Sequence, residues 1–212
     1  MSPVIEAPRA MVESVAAMRF PPRTDVLLQS LMHRNTNGQL SPDEREELEA
    51  LAELSESIAL LRAGPHAPRA DPGVSESWAE TTRQVVARAG GRCAYCRMHQ
   101  SLQGATFHIE HIVPRSAGGP DAPDNLALAC PSCNLGKSDR VRVPGPETGA
   151  DVPLFNPRAD RWADHFAWDE EWRVVALTAG GRATAAALNL NHPRRVRIRE
   201  AEEWFDLFPP DA

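Results

Sequence analysis

Four cysteines are the first residues whose spacing indicates chemistry. They stand as two Cys-x-x-Cys pairs, Cys93/Cys96 and Cys130/Cys133, with 33 residues between the pairs. Two such pairs supply four thiolates, the ligand set of a tetrahedral structural zinc site. Disulfides and a redox pair are the competing interpretations; no secretory signal is expected and no thioredoxin-like βαβ pattern is evident, which disfavours both. Four sulfur ligands leave zinc no open position, so catalysis must depend on other residues.

The segment between the cysteine pairs contains a polar motif within an apolar run. Residues 107–112 read Phe-His-Ile-Glu-His-Ile, an alternation that predicts a strand with His108 and Glu110 on one face and His111 nominally on the other. A proline and a glycine-rich turn end this strand. An apolar run then approaches the second cysteine pair, and a short helix is predicted from Pro131. The expected unit is strand–loop–strand–helix, held at both ends by zinc.

This pattern resembles the HNH endonucleases and their ββα-metal fold. The matching stretches are Ile109-Glu110-His111-Ile112-Val113-Pro114-Arg115-Ser116, Gly118-Gly119, Asp124-Asn125-Leu126 and Cys130-Pro131-Ser132-Cys133-Asn134-Leu135-Gly136-Lys137. They lie within about residues 93–140, less than a quarter of the chain. The resemblance implies an α+β protein whose small zinc-pinned core hydrolyses phosphodiester bonds.

The resemblance also implies a role for each of four residues. His111 would be the general base that activates a water, since an imidazole exchanges protons near neutral pH. Glu110 and Asn134 would hold a divalent cation, and Asn125 would fix the loop that bears the histidine. Carboxylate and amide oxygens suit Mg²⁺ or Mn²⁺, which keep several waters and therefore need few protein ligands.

Two of these positions depart from the commoner family pattern, and three neighbours are candidate contacts to nucleic acid. Glu110 replaces the commoner aspartate and Asn134 replaces histidine, which favours oxygen-preferring metals over a catalytic zinc. Arg115 and Lys137 are candidate phosphate contacts. His108 is a candidate third metal ligand or phosphate contact, with a packing role in the strand as an equally supported alternative.

The remaining chain must frame this unit. Five segments are predicted: a flexible N-terminal arm (1–22), a helical hairpin (23–63), a Pro/Gly-rich linker (64–75), the HNH nuclease domain (76–143) and a mainly helical C-terminal extension (144–212). A capping box from Ser41 to Glu44 opens the second helix of the hairpin. In the extension, Leu154-Phe155-Asn156-Pro157-Arg158 is similar to a tail often found in bacterial HNH proteins.

The distribution of charge supports a nucleic-acid partner despite a net charge of −6. Residues 82–143 contain 8 basic and 4 acidic side chains, a net of +4, and both flanks are acidic. A basic segment is typical of polyanion binding. The acidic face of the hairpin, residues 23–63, is the candidate contact for a protein partner. No apolar stretch approaches the ~20 residues of a membrane span, and a cytoplasmic location is expected.

The sequence therefore favours a metal-dependent HNH endonuclease acting on DNA, with a structural Zn²⁺ and a catalytic Mg²⁺ or Mn²⁺. Double-stranded DNA is the favoured substrate; single-stranded DNA and RNA are alternatives. The alternative function is a catalytically inactive, zinc-dependent module that binds nucleic acid or acts as an adaptor.

Overall fold

The computed structural model describes residues 9–62 and 76–210. Its helices are α1 (Arg9–Ala16), α2 (Pro22–Thr36), α3 (Pro42–Arg62), α4 (Glu76–Arg88), α5 (Pro131–Lys137), α6 (Trp162–His165), α7 (Ala179–Ala187) and α8 (Pro193–Glu203). Its strands are β1 (His108–His111), β2 (Leu126–Ala129), β3 (Arg142–Pro144), β4 (Asp151–Pro153), β5 (Phe166–Trp168) and β6 (Val174–Ala176). They form three two-stranded antiparallel sheets. Helices combined with small antiparallel sheets confirm the predicted α+β class. No described helix has the length and apolar character needed to cross a membrane.

The predicted strand–loop–strand–helix unit is formed by β1, β2 and α5. His111 lies opposite Leu126 in the ladder, and His108 lies opposite Ala129. Every residue of both strands is buried. Because this hairpin is covered on both faces, the alternation in β1 does not separate a buried face from a solvent face.

Helices α2 and α3 pack against this unit. The capping box at the start of α3 is confirmed: the Glu44 N–H donates to Ser41 Oγ at 3.3 Å, and the Ser41 N–H donates to Glu44 Oε2 at 2.9 Å. An apolar cluster joins the two helices to the ββα unit through Leu28, Leu31, Met32, Leu48, Ile58, Ala105 and Leu135. The hairpin therefore packs as part of the same folded domain, and its acidic face is directed towards solvent.

Part of the predicted N-terminal arm is folded. Residues Arg9–Ala16 form α1, and the side chains of Ala16 and Phe20 are buried. The Phe20 N–H donates to the carbonyl of Gly104 at 2.9 Å, and the Phe20 ring joins the apolar cluster of the hairpin. Burial of this ring fixes a segment that has few sequence signals of secondary structure. The predicted linker, residues 64–75, lies outside the described residues.

The C-terminal extension is less helical than predicted. The β-like run at 173–178 forms β6, but its partner β5 and the sheet of β3 with β4 were not expected. These strands have three residues each, too few for a period of two to be recognised. The extension shares one apolar core with the cysteines, to which Phe155, Phe166, Leu188, Leu190 and Ile198 contribute.

Candidate active site and metal centre

The four cysteines form what we call the zinc end of the ββα unit. All four are buried, and their sulfur atoms lie within 4.8 Å of one another. Cys96 Sγ and Cys130 Sγ are 3.8 Å apart, close to the ~3.8 Å edge of a sulfur tetrahedron with Zn–S bonds of ~2.3 Å. Across the described ranges, this is the only cluster of three or more His, Cys, Asp or Glu side chains placed to hold a metal. The geometry suits a structural zinc.

Arg195 of α8 neutralises charge at the zinc end. Its Nη2 lies 2.7 Å from Cys133 Sγ and 3.6 Å from Cys130 Sγ, and the side chain is fully buried. Burial alone would lower the pKa of Arg195, but the neighbouring sulfurs outweigh it and raise that pKa well above its ordinary value. Four thiolates around Zn²⁺ keep excess negative charge, which this guanidinium compensates. The sequence did not predict this contact, because α8 has arginines on several faces.

The four residues to which the resemblance gives a catalytic role, Glu110, His111, Asn125 and Asn134, define what we call the catalytic end. Glu110 is completely buried, and its Oε1 accepts a hydrogen bond from the Tyr95 hydroxyl at 2.6 Å. Its Oε2 lies 3.3 Å from Asn134 Nδ2. Burial raises the pKa of Glu110, and this rise is offset in part by the Lys137 ammonium and by the hydrogen bonds from Tyr95 and Asn134.

His111 is oriented by a carboxylate that the sequence analysis missed. Its Nε2 donates to Asp121 Oδ1 at 2.7 Å, and Arg115 Nε donates to the same oxygen at 2.7 Å. These hydrogen bonds lower the pKa of Asp121, the one from Arg115 most strongly. An ionised carboxylate accepts only, so the His111 proton lies on Nε2 and the lone pair on Nδ1. His111 is 1% exposed and its Nδ1 has no hydrogen-bond partner.

Asn125 holds the turn between His111 and β2. Its Oδ1 accepts from the Val113 N–H at 2.9 Å, and its Nδ2 donates to the carbonyls of Val113 at 2.9 Å and Pro120 at 3.0 Å. These bonds match the positioning role that the resemblance implies. Gly119 is required for this close approach, since a Cβ there would lie 1.8 Å from the Val113 carbonyl oxygen.

Asn134 is held by two residues of α2 that were not predicted as site residues. Asn35 Nδ2 donates to the Asn134 carbonyl at 2.7 Å and to its Oδ1 at 3.2 Å. Asn134 Nδ2 donates to Thr36 Oγ1 at 2.8 Å. All three side chains are fully buried. The sequence does contain a signal for the burial of Asn35. This polar residue follows Leu28 and Leu31 at helical spacing and so lies on the apolar face of α2.

Lys137 and His108 lie inside the protein, away from the solvent-facing positions expected of phosphate contacts. Lys137 Nζ donates to the His111 carbonyl at 3.0 Å and lies 3.6 Å from Glu110 Oε1. His108 Nδ1 is 3.0 Å from Gln29 Oε1, and burial lowers the His108 pKa to about 3, which leaves it uncharged at neutral pH. Lys137 therefore supports the site from within, and His108 joins β1 to α2. Arg115 is the candidate phosphate contact that remains accessible.

Glu110 and Asn134 carry oxygen atoms of the kind that Mg²⁺ and Mn²⁺ prefer as ligands. In this structure the two side chains bond one another instead, because the Asn134 atom that faces Glu110 is the donor Nδ2, 3.3 Å from Oε2. To hold a cation the Asn134 amide would have to turn by half a turn. This turn would set its Nδ2 against the Asn35 Nδ2 that now donates to its Oδ1, so the Asn35 amide would have to change its hydrogen bonds as well.

The comparisons agree with this geometry. Residues 93–140 match the family model described as HNH endonuclease, a stretch that includes both cysteine pairs, β1, β2 and α5. This segment is an HNH domain. The family implies a nuclease-type enzyme that acts on nucleic acid with the help of a metal. The hairpin and the extension lie outside the matched residues, and the comparisons with curated proteins and with solved structures gave no match.

Proposed function

We propose that this protein is a metal-dependent HNH endonuclease that hydrolyses DNA phosphodiester bonds in the cytoplasm. The observation that carries the proposal is the match of residues 93–140 to the HNH family model, within which Glu110 bonds Asn134, His111 follows Glu110 in β1 and Asn125 holds the adjoining turn. Double-stranded DNA is the proposed substrate. The division of the chain into an HNH domain at 76–143 and two framing segments belongs to the same proposal.

His111 acts as the general base in this proposal. Asp121 and Arg115 hold the ring with its proton on Nε2, which leaves the Nδ1 lone pair to take a proton from the attacking water. Lys137 bonds the His111 carbonyl and pairs with the Glu110 carboxylate, and so holds the two groups in position relative to one another. Glu110 and Asn134 would hold Mg²⁺ or Mn²⁺, which would neutralise charge on the phosphate and the leaving oxygen. The four cysteines would hold a structural Zn²⁺.

Arg115 is the first cation that an approaching phosphate meets. It is 43% exposed and Asp121 is 54% exposed, whereas His111 behind them is almost completely covered. A phosphate is a strong acceptor for a guanidinium and can replace Asp121 as the partner of Arg115. This exchange would bring the scissile group to the rim of the catalytic end.

The experiment is a cleavage assay on supercoiled, linear, single-stranded and RNA substrates with a series of divalent cations. We expect cleavage with Mg²⁺ or Mn²⁺, and a loss of roughly 10²- to 10⁴-fold in His111→Ala. His165→Ala is the matched control, because His165 bonds Thr178 in the C-terminal extension. A His111→Ala protein that cuts as well as wild type would overturn the mechanism, and a preference for RNA would overturn the substrate.

One observation favours the alternative of an inactive nucleic-acid-binding or adaptor module. Glu110, His111 and Asn134 are all almost completely buried, so substrate needs movement at the rim to reach them. The alternative predicts DNA binding without cleavage under any metal. The same assay, with binding measured beside cleavage, distinguishes the two functions.

A further inference from the structure

We propose that a second site, the arginine cleft formed by Arg88, Arg97 and Arg158, binds the phosphate backbone of the nucleic acid. The proposal rests on the proposed function, because it extends the path of the same substrate beyond the catalytic end. The cleft has a volume of about 220 Å³. Its walls come from α4, from β2, from the first cysteine pair and from the start of the C-terminal extension, and include Trp162.

Arg88 links the cleft to the catalytic strand. Its Nη2 donates to the carbonyl of Leu126 at 2.8 Å, and its Nη1 donates to the carbonyl of Pro123 at 3.2 Å. Leu126 is the ladder partner of His111. The cleft therefore lies against β2, which pairs with the strand that bears His111, and in this proposal the nucleic acid extends from the catalytic end into it.

Arg97 is held in a backbone conformation that an arginine rarely adopts. Its φ is +64°, in the left-handed region that glycine and asparagine tolerate better. It follows directly after Cys96, so the turn of the zinc ligands fixes where it lies. Among the described residues, none accepts a hydrogen bond from its guanidinium, which lines the cleft. The backbone of Arg97 is therefore fixed at the cleft, and its guanidinium is available to an anion there.

Arg158 projects from a rigid turn. Asn156 Oδ1 accepts from the N–H groups of Arg158 at 2.9 Å and Ala159 at 3.3 Å, and the Asn156 N–H donates to Asp160 Oδ2 at 2.9 Å. Within the described part of the chain, the Arg158 guanidinium has only a long pair with Asp124, at 3.8 Å. Asp124 is 94% exposed, and such a pair contributes at most about 1 kcal/mol. The Asn-Pro-Arg run thus builds a fixed support for one cation.

The balance of charge in the cleft favours an anion. Three arginines line it against two nearby carboxylates: Asp160, whose Oδ2 already accepts a backbone hydrogen bond, and the exposed Asp124 that pairs with Arg158. Burial lowers the pKa of Arg88, the nearby charge of Arg158 lowers it further, and Asp124 offsets this only in part. Neighbouring like charges repel, and a phosphate would relieve this repulsion while accepting from several guanidinium groups. Because the backbone is the same at every base, the cleft should strengthen binding without selecting sequence.

The test measures DNA binding in the His111→Ala protein, which separates it from cleavage. Anisotropy of a fluorescein-labelled duplex is followed over a salt series for this parent and for the parent with Arg97→Gln and Arg158→Gln. We expect the slope of log affinity against log salt to fall in magnitude by about 2, one for each lost phosphate contact. The matched control carries Arg83→Gln and Arg173→Gln, two exposed arginines paired with Glu80 and Glu171 outside the cleft.

An unchanged slope in the cleft variant, or an equal change in the control, would overturn the arginine cleft and leave the nuclease proposal intact. If the parent binds neither DNA nor RNA, both proposals fail. Melting temperature and zinc content report whether each variant folds. If the double variant misfolds, Arg97→Asn and Arg158→Gln are tested as single variants; asparagine suits the positive φ at position 97. Each should reduce the magnitude of the slope of log affinity against log salt by about 1. Arg88 is left unchanged because it holds two backbone carbonyls.

Discussion

The zinc end and the catalytic end of the HNH domain are built in different ways. The zinc end takes its four ligands from two short runs of sequence, and each run positions two identical side chains. The catalytic end takes its residues from a strand, a turn and a helix, and α2 and the first cysteine pair complete their hydrogen bonds. Ligands that are local in sequence can be recognised by spacing alone. Partners that come from distant segments appear only in the folded chain.

The two ends nevertheless depend on one another. Tyr95 lies between two zinc ligands and donates to Glu110, and Asn134 directly follows the zinc ligand Cys133. The proposed zinc therefore fixes the positions of both residues that would hold the catalytic cation. We expect damage at the zinc end to abolish both structure and activity, and damage at the catalytic end to spare the zinc.

The largest expected effect follows from loss of a zinc ligand. Cys130→Ser should lose zinc and unfold the HNH domain, since structural zinc contributes ~10–16 kcal/mol in zinc-finger peptides. Ser132→Ala, between the two cysteines of the same pair, should keep zinc and lose only the bond to Glu56 at 2.5 Å. Zinc content and circular dichroism measure both. A folded Cys130→Ser protein without zinc would contradict the structural role.

A smaller effect is expected at the arginine beside the cysteine sulfurs. Arg195→Gln should weaken zinc binding roughly 10- to 100-fold, the range found for groups that support metal ligands. Arg197→Gln is the control, because Arg197 is exposed on the same helix. Competition with a chromophoric chelator measures the affinities. Equal affinity in both variants would show that Arg195 only packs.

His108, which lies where α2 meets β1, should make the stability of the fold sensitive to acid. Burial lowers the pKa of His108 to about 3 in the folded state, whereas its ordinary pKa is 6.5. The unfolded state therefore binds more protons than the folded state between these two pH values. Stability is complete above about pH 6.5 and is lost as pH falls, by about 2 kcal/mol between pH 7 and pH 5. His108→Gln should lose much less over this interval. Urea unfolding at the two pH values tests this, and identical losses would refute it.

The smallest effect is expected from the anchor of Asn134. Thr36→Val removes a buried hydrogen-bond partner and should cost about 1 kcal/mol of stability. It should also raise the Mg²⁺ concentration needed for half-maximal cleavage, and Thr36→Ser should restore it. Thr184→Val is the control, since Thr184 is equally buried but bonds Gly180 and Phe155 in the extension. An equal change of metal dependence in Thr184→Val would mean that α2 has no specific role.

The sequence predicted what local patterns determine: the cysteine pairs, the Glu-His motif, the capping box and the ββα order. It left His108 open as a metal ligand, a phosphate contact or a packing residue, and it gave Lys137 as a phosphate contact. Both are buried: β1 has no solvent face, and the Lys137 ammonium on α5 bonds the His111 carbonyl. Asp121, Asn35 and Arg195 were missed for another reason. Each acts through a contact with a residue distant in sequence, from 10 to 99 positions away.

The most direct test counts zinc and measures cleavage in the same sample as Mg²⁺ or Mn²⁺ is added to protein purified in metal-free buffer. If the zinc end and the catalytic end bind separate metals, the sample should contain one zinc per chain throughout. It should not cleave without the added cation, and cleavage should rise to saturation as the cation is added. Cleavage without an added cation, or cleavage that follows zinc content alone, would contradict the separation of the zinc end from the catalytic end.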